Sequence, residues 1–274
     1  MQTPRQVVDK SHRSQLLLNA VVAGLLAQTA MVFVHELAHL VAGAALGHPS
    51  RMYAFGVDHF GDIPVADGAV MAMAGPVFSL VTGFVMAIWT PLRRRGDFAH
   101  LLWLFFAFAS MQEMVGYLVI TPFGAGDTGV TAALLNIPLA GQFAICAVGI
   151  AGMFLTARGF ATHMARHAGP DELGLRNAMT LFPWIASSVA SALLSLLYLA
   201  ITPADVPPES QIAIMAASTA ILVFAPMAHI FSRAVREVAH EPLTLPRVPV
   251  AGLVALGVLV AVNIVLSIWG LPLG

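Results

Sequence analysis

The amino-acid sequence predicts an all-α polytopic membrane protein with about seven transmembrane helices. The chain has 274 residues, of which 58% are hydrophobic and 10% charged. Its mean hydropathy of +0.84 is far above that of an ordinary soluble domain. Apolar runs of about 20 residues, the length that crosses the hydrocarbon core as a helix, recur along the chain. These observations place the protein in a lipid bilayer.

Seven apolar runs follow one another, separated by polar stretches that contain Gly and Pro. The first run is longer than the core of a signal peptide, so we expect it to remain in the protein as the first membrane helix. The runs cover residues 16–47, 69–90, 98–120, 139–157, 178–201, 211–231 and 249–270.

The basic residues support this helix count. All but one of the 13 Lys and Arg residues lie in the N-terminal tail, residues 1–15, or in alternate loops; the exception is Arg51. Because cytoplasmic loops carry an excess of Lys and Arg, the alternation predicts a multi-pass protein of the cell membrane with a cytoplasmic N-terminus. The net charge of −1 gives no electrostatic basis for nucleic-acid binding, which we exclude.

The first run contains an HExxH pattern, His35-Glu36-Leu37-Ala38-His39. At about 3.6 residues per helical turn, His35 and His39 share one face and can bind one metal ion, whereas Glu36 can reach a water on that metal. Zinc accepts two imidazoles and a carboxylate and leaves a fourth position for water. A polar stripe of hydrogen-bonded histidines is the alternative. Three polar side chains in an otherwise apolar helix are costly without a partner, so we favour a zinc site with Glu36 as general base.

Asp127 is the best candidate for the third ligand. It follows the third predicted helix, which places it toward the same membrane face as the HExxH residues. The Gly and Pro residues around it predict a local helix break, which membrane proteins tolerate where backbone lines a cavity. The alternative is that Asp127 caps a short helix over residues 128–135.

Together these motifs resemble the site-2 protease family of intramembrane zinc metalloproteases. That family carries HExxH in one membrane helix, Gly-Pro-x-x-Asn in the next, and Asn-x-x-Pro-x-x-x-x-Asp-Gly in the third. The resemblance covers about residues 30–135. Here HExxH matches in full, and the other matching positions are Gly75, Pro76, Pro122 and Asp127, with departures at Ser79, Val119 and Thr128.

The resemblance implies a zinc endopeptidase that cuts peptide bonds in or near transmembrane segments of membrane protein substrates. Its metalloprotease core would be residues 16–135, and residues 136–274 would serve as scaffold or substrate access. The family's active site lies toward the cytoplasm, whereas the basic residues place this one on the opposite face, so the sequence leaves its orientation open.

Three further residues are candidates for supporting roles. Glu113, the other acid in the predicted spans, could support a ligand or relay protons, or could serve only as a structural hydrogen-bonding group. Ser79 stands where the family has Asn. His59 lies in a loop that is strand-like in the family and contacts substrate there, although a solvated histidine is the other interpretation.

Two other functions remain open at this stage. One is a catalytically inactive relative that binds zinc or a partner helix. The other is a divalent-metal transporter that uses the same residues to pass a cation. Helices four to seven contain no acidic residue, which indicates a scaffold or substrate-access role for them.

Overall fold

The computed structural model describes residues 4–89, 95–168, 172–235 and 243–274. The side chains of residues 4–11 and of some residues between 209 and 221 lie outside this description. In the described part the chain forms α-helices, one 3₁₀ turn at Thr121–Phe123 and three short strands. The helices are α1 Pro4–Ala45, α2 Val65–Trp89, α3 Phe98–Ile120, α4 Gly126–Leu134, α5 Leu139–Ala165, α6 Leu173–Thr180, α7 Phe182–Ile201, α8 Pro208–Ala234 and α9 Val250–Trp269; the strands are β1 Ser50–Tyr53, β2 Gly56–His59 and β3 Leu271–Leu273.

Six helical segments of the described residues are long and apolar enough to cross a membrane, and they confirm the all-α polytopic class. They coincide with six of the seven predicted spans. The seventh, residues 211–231, lies in α8, where several side chains fall outside the described part, and it stays a prediction. The six segments are His12–Ala45, Val65–Trp89, Phe98–Phe123, Leu139–Ala165, Leu173–Ile201 and Val250–Trp269.

The charge-based orientation also stays a prediction. The loop that carries Arg93 and Arg94, and the segment that carries Arg236, lie outside the described residues. The N-terminal tail proves to be helical from Pro4 onward, because α1 begins there and continues into the first membrane segment without a break.

The core of the bundle is an aromatic cluster between α3, α5, α7 and α8. Phe105, Phe160, Trp184 and Phe224 are buried in it, with ring centroids of neighbouring pairs 4.8–5.6 Å apart. Small side chains on α1 bring that helix close to α3, since little volume separates the two backbones. These are Ala20, Ala23 and Ala27.

Helices α1 and α3 run parallel through the bundle. Near the middle of α1, a Cβ on Gly24 would lie 3.3 Å from the ring of Phe105, and further along, Nδ1 of His35 lies 3.5 Å from a carboxylate oxygen of Glu113. Residue numbers increase from the first contact to the second on both helices, so the two helices point the same way. The HExxH turn therefore faces the C-terminal half of α3, from which the chain continues to Asp127.

The strands form one antiparallel sheet in the order β2-β1-β3. Met52 on β1 pairs with Val57 of β2 on one side and with Leu271 of β3 on the other. The β1–β2 hairpin falls in the loop for which the family resemblance implied strand-like structure. The third strand comes from beyond α9 and was not predicted, because its three residues carry no alternating pattern long enough to recognise.

Candidate metal centre

His39 is held in one tautomer by a backbone carbonyl of α2. Its ring is buried, and Nδ1 lies 2.7 Å from the carbonyl oxygen of Met71. A carbonyl oxygen only accepts hydrogen bonds, so Nδ1 carries the proton and donates it. In the neutral ring, Nε2 of His39 therefore keeps its lone pair. Fixing the ring through its other nitrogen is the usual way in which proteins orient a metal-binding histidine.

His35 is oriented in the same manner by two side chains. Its Nδ1 lies 3.2 Å from the hydroxyl of Ser79 on α2 and 3.5 Å from a carboxylate oxygen of Glu113 on α3. When Nδ1 donates to either oxygen, the neutral ring keeps its lone pair on Nε2. The ring also stacks on Tyr117, with centroids 5.6 Å apart and planes 14° from parallel.

Asp127 is brought to the histidines by a sharp reversal after α3. The 3₁₀ turn ends at Gly124, and both Gly124 and Gly126 have φ near +67°, a conformation that glycine adopts without steric cost. The α4 helix then begins at Gly126, with Ala125 as its N-cap residue. Asp127 is thus not the N-cap. Its carboxylate points instead at the imidazoles of α1.

Thr128, which stands where the family has Gly, ties α4 to the end of α3. Its hydroxyl donates to the carbonyl of Tyr117 at 2.7 Å and accepts from the hydroxyl of Thr121 at 2.8 Å. This departure from the family pattern adds an anchor beside Asp127. The other departure in the same element, Val119, lies on α3 where Gly149 of α5 packs closely against the backbone.

Three electron-rich atoms meet at this point. Nε2 of His35 lies 3.0 Å from Nε2 of His39 and 3.0 Å from Oδ2 of Asp127, and the distance from His39 to the same oxygen is 3.3 Å. Lone pairs at these distances repel one another unless a cation or a proton lies between them. A single proton can join only one pair of atoms, whereas one metal ion joins all three.

The spacing suits a metal ion of the size of zinc. Ligands about 2.0–2.1 Å from a tetrahedral metal lie about 3.3 Å from one another, close to the distances between the three atoms here. His35, His39 and Asp127 are thus a group that could hold a metal ion. The sequence predicted these three positions, and the fold brings them together.

The charge of Asp127 fits a ligand role. This residue lies outside the membrane-spanning segments. Burial on its own raises the pKa of the Asp127 carboxyl; when no metal ion is bound, hydrogen bonds and positive charge from protonated His35 and His39 outweigh burial and hold that pKa below its usual range. The carboxyl group is therefore ionised at neutral pH and offers an anionic oxygen.

Glu36 faces a large cavity beside the three ligands. This central cavity has a volume of about 980 Å³, and Glu36, His39 and Asp127 all line it. Its walls come from α1, α2, α3, α4, α7, α8 and α9 and from the β1–β2 hairpin, and they are mainly apolar. Glu36 is only 8% exposed. A carboxylate that is not one of the ligands, beside a candidate metal group in a cavity, can accept a proton from water.

Gly75 allows the backbone of α2 to approach the ligands. A Cβ at this position would collide with Nε2 of both His35 and His39. Pro76 follows within the same helix and has no N–H to donate to the carbonyl four residues earlier, which opens the turn there. The Gly-Pro pair thus makes room for the candidate metal centre. In the sequence, only the family resemblance had pointed to this pair.

The three supporting candidates take different positions. Ser79 and Glu113 both contact Nδ1 of His35, as described above. His59 lines the central cavity, and its Nδ1 lies 2.7 Å from the hydroxyl of Ser50, whose proton goes to the carbonyl of His48. Burial lowers the pKa of His59, and His39 acts in the same direction, which favours the neutral ring.

Sequence reasoning missed two contributors to the site. Tyr117, the aromatic partner of His35, lies four residues after Glu113 and so shares its helix face, a spacing that could have identified it. The contact with the carbonyl of Met71 could not have been predicted, because every residue type has a backbone carbonyl and the sequence does not indicate which one is used.

Comparison with protein-family models, with curated proteins and with solved structures finds no match to this chain. The likeness to site-2 proteases therefore depends on the motif residues alone.

One metal ion per chain is expected to remain bound to the protein purified in detergent. His35→Ala and Asp127→Ala should each reduce the metal content, measured by elemental analysis, because each removes a ligand. His48→Ala is the matched control: this histidine lies between α1 and β1, pairs at 2.8 Å with Asp67 in the first turn of α2, and should leave the metal in place. Unchanged metal content in both ligand variants would show that His35 and Asp127 are not metal ligands.

Proposed function

We propose that this chain is an intramembrane zinc endopeptidase, which hydrolyses peptide bonds in or near the transmembrane segments of membrane proteins. The observation that carries the proposal is the convergence of three candidate ligand atoms with an additional carboxylate, that of Glu36, in a cavity lined mainly by membrane helices. A metal site that served only structure would be closed by a fourth protein ligand.

Each residue has a distinct task in the proposed reaction. When bound, zinc supplies a Lewis acid that polarises the peptide carbonyl and lowers the pKa of a coordinated water to about 7. His35, His39 and Asp127 hold the ion. The Glu36 carboxylate takes the proton from the attacking water and later delivers it to the nitrogen of the leaving amine. Met71, Ser79 and Glu113 keep the imidazole rings in the required orientation.

The cavity favours an unwound substrate. A peptide bond in an intact helix is shielded by its own turn and by helical hydrogen bonds, so the carbonyl cannot be attacked. The mainly apolar walls suit the side chains of a membrane segment, and the cavity volume is at the upper end of the usual range for ligand pockets, about 300–1,000 Å³. The partner is accordingly a transmembrane peptide that has lost its helix locally.

Metal removal and restoration test the proposal. The protein in detergent or liposomes is expected to cleave at least one of a set of single-span model substrates, to stop after treatment with a strong chelator, and to recover when zinc is added. Cleavage products are identified by mass spectrometry. Cleavage that persists after complete metal removal would contradict the proposal.

The same preparations separate the two alternatives. An inactive relative would bind zinc yet cut none of the substrates. A transporter would carry zinc into proteoliposomes, and its flux would be the same with and without substrate peptide. The proposed protease cuts a substrate and carries no zinc across the bilayer.

A further inference from the structure

Two buried carboxamides border the central cavity without hydrogen-bond partners. Gln28 on α1 and Gln112 on α3 line the cavity, and each is 4% exposed. Nε2 of Gln28 and both amide atoms of Gln112 have no partner among the described residues. Buried polar atoms are nearly always paired in folded proteins, since an unpaired one costs free energy. A ligand that pairs these atoms would therefore gain more than it would from exposed groups.

Thr29, a polar residue on the same cavity wall, has a hydrogen-bond partner within the protein. The hydroxyl of Thr29 donates to the carbonyl of Leu25 in its own helix at 2.8 Å, so it is satisfied without a ligand. The side chain of a glutamine is too long to be satisfied in this way. Thr29 is thus satisfied within its own helix, whereas Gln28 and Gln112 are not.

Gln28 lies deeper in the membrane than the metal centre. It precedes Glu36 by eight residues, which is about 12 Å at 1.5 Å per residue, and Gln28, Val32 and Glu36 all line the cavity on one helix face. Gln112 is adjacent to Glu113, whose carboxylate contacts His35, so it lies near the level of the ligands. An extended peptide rises about 3.3 Å per residue and covers 12 Å in about four residues.

We propose that Gln28 and Gln112 form a main-chain binding subsite for an unwound peptide segment on the membrane-deep side of the scissile bond. A carboxamide offers one acceptor and two donors, so it pairs with the N–H and C=O groups of an extended backbone. It carries no charge and is compatible with apolar substrate side chains beside it. This proposal rests on the proposed peptidase function and specifies its substrate class.

The subsite sets a requirement on substrates. About four residues on the deep side of the cleaved bond must leave the helix together, because the hydrogen bonds to both glutamines need extended backbone. Segments with helix-destabilising residues such as Gly or Asn in this stretch would be preferred substrates. The identity of the apolar residues in this stretch would affect cleavage less.

Kinetics of full-length protein test the subsite. The probe is a synthetic single-span peptide of Leu and Ala with a central Asn-Gly pair. Gln28→Leu and Gln112→Leu should each raise KM about three- to tenfold, the effect of one net hydrogen bond, and should change kcat little. Zinc content should be unchanged, and thermal stability equal or higher, because an unpaired polar group has been removed. The control is Gln142→Leu on α5, whose Nε2 donates to the carbonyl of Ile137 at 2.8 Å, away from the cavity.

Ester substitution in the peptide provides a second readout. Replacing a single amide by an ester removes its N–H donor and makes its carbonyl, the group that Nε2 of Gln28 would donate to, a weaker acceptor; we scan this change along the deep side of the cleavage point. KM should rise for an ester about four residues from the scissile bond, and the same ester should have no further effect in Gln28→Leu protein. A purely structural role for Gln28 would not produce this coupling.

The outcomes distinguish the subsite from the peptidase proposal. If the peptide is cut and KM is the same in parent, Gln28→Leu and Gln112→Leu proteins, the cavity binds only water at these glutamines and the subsite is wrong, while the peptidase stands. Binding of a fluorescent form of the peptide to Glu36→Gln protein is measured separately. Binding that is weakened by both leucine substitutions, with no cleavage by the parent protein, would support the subsite and overturn the peptidase.

Discussion

The Glu36→Gln protein is expected to retain its zinc and to cleave a single-span substrate about 10² to 10⁴ times more slowly than the parent, the usual contribution of a general acid–base group. Glutamine keeps the size of the side chain but cannot accept the proton of water at neutral pH. Glu36 lines the central cavity and is not one of the three ligand residues, so the metal should stay. Cleavage rate and zinc content are measured on the same preparation.

Glu113→Gln is the matched control for this experiment. Glu113 is also a buried acid in a membrane helix, and its carboxylate contacts Nδ1 of His35. Glutamine retains an oxygen that can accept from that nitrogen, so we expect a severalfold loss of activity and nearly normal metal content. A parental rate in Glu36→Gln protein, or a larger loss in Glu113→Gln protein, would show that Glu36 is not the base.

The second large effect is expected from Gly75→Ala. The added methyl group would collide with Nε2 of both His35 and His39, the two atoms that point at the metal. The rings must turn away or α2 must move, and either change disrupts the ligand group. Zinc affinity should fall by at least about 10- to 100-fold, the loss seen when groups that orient metal ligands are changed, and cleavage should fall with it. Affinity is measured by competition with a chelator.

Two other glycines separate this effect from general damage to the fold. A Cβ on Gly83, two turns further along α2, would lie 2.7 Å from the carbonyl oxygen of Ala107, so Gly83→Ala should lower thermal stability but keep the metal. Gly257 in α9 has nothing within 4 Å of such a Cβ, and Gly257→Ala should change neither property. Equal zinc affinity in Gly75→Ala and Gly257→Ala proteins would contradict the close approach of α2.

The amino-acid sequence by itself determined the membrane class and predicted the residues of the candidate metal group. Apolar runs of spanning length are a local property, and so is the one-turn spacing of His35 and His39 on a helix. Asp127 was within reach of the same reasoning, because it follows a helix that ends on the same membrane face. The structure excluded the capping alternative, because Ala125 is the N-cap residue and the Asp127 carboxylate lies 3.0 Å from His35.

Only the tertiary structure decided what surrounds the metal group. The carbonyl of Met71, the close approach at Gly75 and the stacking of Tyr117 on His35 join α1 to residues on α2 and α3. Such contacts depend on the angle and rotation at which helices pack, which hydrophobic periodicity does not specify. The unpaired amides of Gln28 and Gln112 became visible for the same reason, since a glutamine in an apolar helix reveals its missing partner only when every neighbouring helix is in place.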